Sequence, residues 1–102
     1  MMDEKEFTRW LAREVGGVVI PASGGLDGWK GDIEVGEFKL ELKVMRGNRV
    51  SISRDVIKKI KREAFRESKR WGVAVELDGE CYVLIGLDEF KRLLAPVDRK
   101  DG

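Results

Sequence analysis

The stretch "GDIEVGEFKLELKV", residues 31–44, decides the fold. With Gly36-Glu37 as a two-residue turn, Val35 pairs with Phe38, Glu34 with Lys39, Ile33 with Leu40 and Asp32 with Glu41. Side chains alternate between the two sides of a strand. One side of this hairpin is therefore apolar (Ile33, Val35, Phe38, Leu40, Leu42, Val44), and the other carries Asp32, Glu34, Lys39, Glu41 and Lys43. Glu34 opposite Lys39 is a favourable cross-strand pair, whereas Asp32 opposite Glu41 sets two like charges against each other. At roughly 5 Å and an effective dielectric near 20, two carboxylates repel by about 3 kcal/mol. A divalent cation held between them turns that cost into a gain. Lys43, two residues beyond Glu41, projects from the same face. Two acids and a neighbouring ammonium are the groups that metal-assisted phosphodiester cleavage needs. The plain alternative is the wet face of a half-buried hairpin.

Outward from the hairpin, the chain divides cleanly. Residues 3–15, "DEKEFTRWLAREV", space Phe7, Trp10, Leu11 and Val15 at helical intervals, and Gly16-Gly17 ends that helix. "VVIPAS" reads as a short strand ended by Pro21, and "GGLDGWKG" as a glycine-rich loop. "RGNR" turns the chain out of the hairpin. Ser53 is a fitting N-cap for "SRDVIKKIKREAFRESKRW", with Val56, Ile57, Ile60, Ala64, Phe65 and Trp71 as its buried stripe. "GVAVELDGECYVLIGL" is a second hairpin turning at Asp78-Gly79. "DEFKRLL" is a last short helix with Asp88 at or near its cap, and residues 96–102 form a frayed tail. The order is α-β-β-β-α-β-β-α: one domain over residues 1–102, with helices against a mixed sheet.

Composition narrows the chemistry. There is no His, which removes the usual base of serine triads and the usual ligand of zinc sites. A metal would be held by oxygen atoms, which suits Mg²⁺ or Mn²⁺. Cys81 stands alone in an apolar strand, so a disulfide framework is excluded, a reducing interior is the default, and a core thiol is the expected role. No apolar run is long enough for a membrane span and no export signal is visible, so the expected location is the cytoplasm. Charged residues make up 38% of the chain, with no Gln and one Asn, a profile that leans towards a thermophilic source.

The net charge of +1 hides an asymmetry. Residues 54–70 hold eight basic residues and three acids, a local +5, while residues 71–95 hold two basic residues and five acids, a local −3. The basic helix, with Lys58, Lys59, Arg62 and Arg66, points to a polyanion; a solvated face laced by i,i+4 pairs is the alternative. Trp29 and Lys30, in the loop before Asp32, are placed to touch nucleic acid, or Trp29 to pack at a subunit interface. Trp10 and Trp71 fall on apolar stripes and read as core.

Asp32, then Glu41-Leu42-Lys43 on the next strand, within an α-β-β-β-α-β chain, resembles the PD-(D/E)XK nuclease superfamily. Within it, the chain is most similar to Holliday junction resolvases of archaea, their viruses and phages. Glu6, eleven residues before Gly17, and "VVIPASGG" after it extend the likeness; Gly31 stands where a proline is usual. The resemblance implies a restriction-endonuclease-like core and a Mg²⁺-dependent endodeoxyribonuclease acting as a homodimer on four-way junctions. It implies Asp32, Glu41 and the Leu42 carbonyl as metal ligands, Lys43 as catalytic lysine, and Glu6 as the helix-borne acid completing the site, with Glu14 its rival. Ser23 then lies where the family's loop approaches phosphate, and Lys59 is the auxiliary basic residue. The location implied is a prokaryotic cell, or the host cell if the source is viral. A catalytically inactive nucleic-acid-binding module, or a structural subunit of recombination or packaging, is the alternative on the same fold.

Overall fold

The computed structural model describes residues 3–21 and 31–95. Ser23, Trp29, Lys30 and the 96–102 tail lie outside the described residues. The elements follow the expected order: α1 (Glu4–Val15), β1 (Val18–Pro21), β2 (Gly31–Val35), β3 (Phe38–Val44), α2 (Arg54–Arg66), β4 (Arg70–Leu77), β5 (Glu80–Leu84) and α3 (Leu87–Leu94). The five strands form one sheet in sequential order, antiparallel throughout except for β3 beside β4, which is parallel. The parallel step is where α2 crosses over, because a parallel connection needs a helix-length excursion.

The β2–β3 register is the expected one: Asp32 opposite Glu41, Ile33 opposite Leu40, Glu34 opposite Lys39 and Val35 opposite Phe38. Gly36 takes φ +56° at the first turn position, the backbone that a II′ hairpin turn asks for there. Asp78 and Gly79, with φ +54° and +80°, make the second hairpin a I′ turn.

Alternation then assigns the faces. Ile33, Leu40, Leu42 and Ala74 point to α1 and build the main core with Phe7, Leu11 and Ala12. The connection from α1 into β1 lies close against β2: a Cβ on Gly17 would come within 2.7 Å of the Ile33 side chain. The other face meets α2, which is anchored by Ile60 and Ala64, both buried, against Val73. Ser53 caps α2, accepting from the Val56 N–H at 3.2 Å.

Four expectations need correction. Phe65 is 83% exposed rather than part of the α2 stripe. At 100° per residue it lies about 140° round the helix from Ile60, while Ala64 is about 40° away. Val15, at the last turn of α1, is also exposed. Trp10, Trp71 and Cys81 are half-buried rather than fully enclosed. Helix α2 ends at Arg66, so Trp71 belongs to β4 and not to the α2 stripe. Asp88 lies near the α3 cap as expected, in the first turn two residues after Gly86, which holds the cap position without a side-chain bond. No helix among the described residues is long and apolar enough to cross a membrane.

The facing of α2 can be tested by chemical denaturation. Ile60→Ala should lower the unfolding free energy by about 2–5 kcal/mol, and Phe65→Ser should change it by no more than about 0.5 kcal/mol. Similar losses for both would contradict this orientation of the helix.

Candidate functional site

Asp32 is the last residue of β2 that pairs with β3, and β3 runs on through Leu42, Lys43 and Val44 past that end. The carboxylates of Asp32 and Glu41 therefore meet near the edge of the β2–β3 ladder. They are not in open water. Helix α2 lies over this face and leaves Asp32 only 7% exposed. Glu63, one turn beyond Lys59 on α2, adds a third negative charge close enough to act on Asp32.

The consequence is a displaced titration. Burial, then the charge of Glu41, then that of Glu63, push the Asp32 carboxyl up to about 7, against the smaller opposing pull of Lys59 and Lys39. Desolvation and like charge act in the same direction here. At neutral pH Asp32 is poised between its two forms.

Two lysines keep the face from flying apart. Lys59 reaches from α2 to Glu41 Oε1 at 3.3 Å and to Glu63 at 3.4 Å. Lys39, 5% exposed, lies 3.9 Å from Asp32 and 3.7 Å from Glu34, and donates a hydrogen bond to Glu67 beyond the end of α2. Burial works against the charge on both ammonium groups. For Lys39 the hydrogen bond to Glu67 and the surrounding carboxylates outweigh it, and for Lys59 the charges of Glu41 and Glu63 do. Both titrate above the ordinary lysine value.

The remaining site candidates fall in different places. Lys43 is on the same face as Glu41, half-buried, beside Arg46, Arg49 and Ser51, and makes no ion pair among the described residues. The Leu42 side chain is buried in the α1 core. Glu6 lies on α1, on the opposite side of the sheet, in a capping box: Asp3 accepts from the Glu6 N–H at 2.8 Å, and Glu6 accepts from the Asp3 N–H at 3.1 Å. It is not among the charges that act on Asp32. Glu14 is exposed on the last turn of α1. Lys58, Arg62 and Arg66 are exposed on α2 and make no ion pairs among the described residues. Lys59 to Glu63 is the one i,i+4 pair of α2 among those residues.

Sequence reasoning missed Glu63 and Glu67 and undervalued Lys39. Glu63 was accessible from spacing, since it lies four residues after Lys59 and about 60° round the helix from Ile60. The oxygen donors of Asp32 and Glu41 suit a hard divalent cation, and Lys59 fills the same electrostatic role. No group of three or more acidic or Cys side chains among the described residues is arranged to hold a metal ion. A cation here would take two carboxylates and complete its shell from water, carbonyl or phosphate oxygens, as Mg²⁺ commonly does. Comparison with protein-family models, characterised proteins and solved structures gives no match for this chain.

The raised Asp32 value has a sign that can be checked. The native state favours the protonated acid, so its contribution to stability is complete below pH 4 and is lost as pH rises through about 7. Asp32→Asn, neutral at every pH, should match the wild type in thermal unfolding near pH 4. Above pH 7 it should exceed it by about 5 °C or more. A constant difference across that range would show that Asp32 titrates normally.

Proposed function

We propose that the chain is a metal-dependent DNA endonuclease on a restriction-endonuclease-like core, cutting phosphodiester bonds in branched DNA, with four-way junctions as its substrate. The observation that carries this reading is Asp32, held opposite Glu41 and poised near pH 7, with Lys43 on the same face and in no ion pair among the described residues. An Asn at position 32 would fit the same space without the repulsion. A carboxyl kept at such a pKa favours chemistry over packing.

When bound, Mg²⁺ or Mn²⁺ supplies Lewis acidity at the phosphate and a readily deprotonated water. The chain's own residues do the rest. Asp32 releases its proton to become an anionic ligand, and Lys59 gives up Glu41, to which it is now bonded. Lys43 orients the attacking water, or donates to the phosphoryl oxygens as charge gathers there. Lys58, Arg62 and Arg66, exposed on α2, hold backbone phosphates without reading sequence. A homodimer completes the reading, since two sites related by a two-fold axis cut two strands symmetrically. In support, α3 exposes Leu87, Phe90, Leu93 and Leu94, and β5 leaves one edge unpaired among the described residues.

The second reading is a nucleic-acid-binding module without catalysis. The observation in its favour is the Lys59–Glu41 contact, which gives Glu41 a cationic partner from within the chain.

A labelled four-way junction incubated with and without Mg²⁺ separates the two. Wild-type protein should cut only with the metal, and Asp32→Asn or Glu41→Gln should not cut at all. Lys43→Ala should cut at least about 100-fold more slowly while binding the junction normally. Near-normal cutting by any of the three would mean the site is wrongly assigned. Binding without cleavage by the wild type would leave the binding module.

A further inference from the structure

On the α1 side of the sheet, away from Asp32, a cleft of about 500 Å³ opens between α1 and the β4–β5 hairpin. Its walls are apolar: Phe7 and Trp10, stacked with ring centroids 6.2 Å apart, and Met45. Glu76 also lines it and is only 5% exposed. One of its oxygens, Oε2, accepts the Gly79 N–H at 2.9 Å. The other, Oε1, is fully buried and has no donor among the described residues. A buried carboxylate oxygen left without a donor is costly, and native proteins rarely keep one without a reason.

The surroundings sharpen the point. Asp78 and Glu80 stand at the rim, and no basic residue lines the cleft among the described residues. Glu80 accepts from the Tyr82 hydroxyl, and neither rim acid forms an ion pair among the described residues. Cys81 lies directly across the strands from Glu76 and forms part of the wall. Burial and the Glu76 charge push its thiol up, so it acts as wall and not as nucleophile. The three acids are not grouped as metal ligands. An aromatic wall beside an unpaired buried carboxylate and an acidic rim suits a cation with an apolar body.

We propose that this cleft binds an organic cation, an ammonium or guanidinium on an unbranched apolar stem, with the cationic head held at the Glu76 carboxylate beside the rim acids and the stem lying along Trp10 and Met45. The cation is either a free amine or the side chain of a lysine or arginine on another protein. This site is independent of the nuclease reading and stands or falls without it.

The test is an NMR titration of the ¹⁵N-labelled full chain with n-pentylammonium, Nα-acetyl-lysine methylamide and 1-pentanol. Both amines should shift the Trp10 indole and Gly79 amide signals saturably, with 1-pentanol weaker by about 10-fold or more. Whichever amine binds more tightly identifies the source, free or protein-borne. Glu76→Gln keeps an acceptor for Gly79 and should weaken pentylammonium by about 10-fold without affecting 1-pentanol. Glu80→Gln, at the exposed rim, should cost about 2-fold through lost charge alone, and it serves as the test if the Glu76 variant does not fold. The proposal is overturned by the absence of saturable shifts, by equal affinity for alcohol and ammonium, or by folded Glu76→Gln protein that binds ammonium normally.

Discussion

The register of β2 on β3, fixed by the two-residue turn at Gly36-Glu37, is the constraint on which the rest of the molecule depends. A slip of one residue would turn one strand over against the other, sending either Asp32 or Glu41 into the core beneath Phe7 and Leu11 and Ile33 or Leu40 to the α2 side. With the register in place, each face has one fitting cover. The apolar side takes α1 and becomes the dry core. The charged side takes α2, which touches the sheet through Ile60 and Ala64 and brings its own charges, Lys59, Glu63 and Glu67, to meet those below.

That second layer is expensive to assemble. Lys39 and Asp32 are almost fully buried, and a charge taken out of water is tolerated only when paired and hydrogen-bonded. Lys39 meets that condition, with three carboxylates around it. Asp32 does not. Its nearest lysine contact among the described residues is 3.9 Å long, and Glu41 and Glu63 both push against its ionisation. The frustration of the face is therefore concentrated on one residue at the end of the β2–β3 ladder. Concentrating it there, rather than spreading it over the layer, is what a cation-binding role would require.

Much of this was legible beforehand, because the deciding signals were local. A Gly-containing turn between alternating segments fixes a hairpin register, Asp-Gly fixes another, and Ser53 announces a helix start. The parts that escaped depend on tertiary packing. Nothing near Asp32 in the sequence says that α2 will cover it, so the Glu41 share of its displaced titration was legible and the larger share from burial was not. Glu63 and Glu67 looked like ordinary members of a charged helix until the side of α2 facing the sheet was known. Phe65 illustrates the same limit: an apolar residue beside Ala64 reads as core, yet the helix turns it outward. The Glu76 cleft also needs three separate elements, α1, Met45 and the β4–β5 hairpin, before it exists at all.

On the proposed reading, the Asp32–Glu41 opposition awaits a divalent cation. The most direct measurement is an NMR titration of the Asp32 side-chain carboxyl carbon, with and without Mg²⁺. Without metal, Asp32 should titrate near 7. With saturating Mg²⁺ its midpoint should fall by about two units or more, because a bound cation favours the ionised acid. A midpoint near the ordinary 3.8 without metal, or one that Mg²⁺ leaves unmoved, would contradict the account.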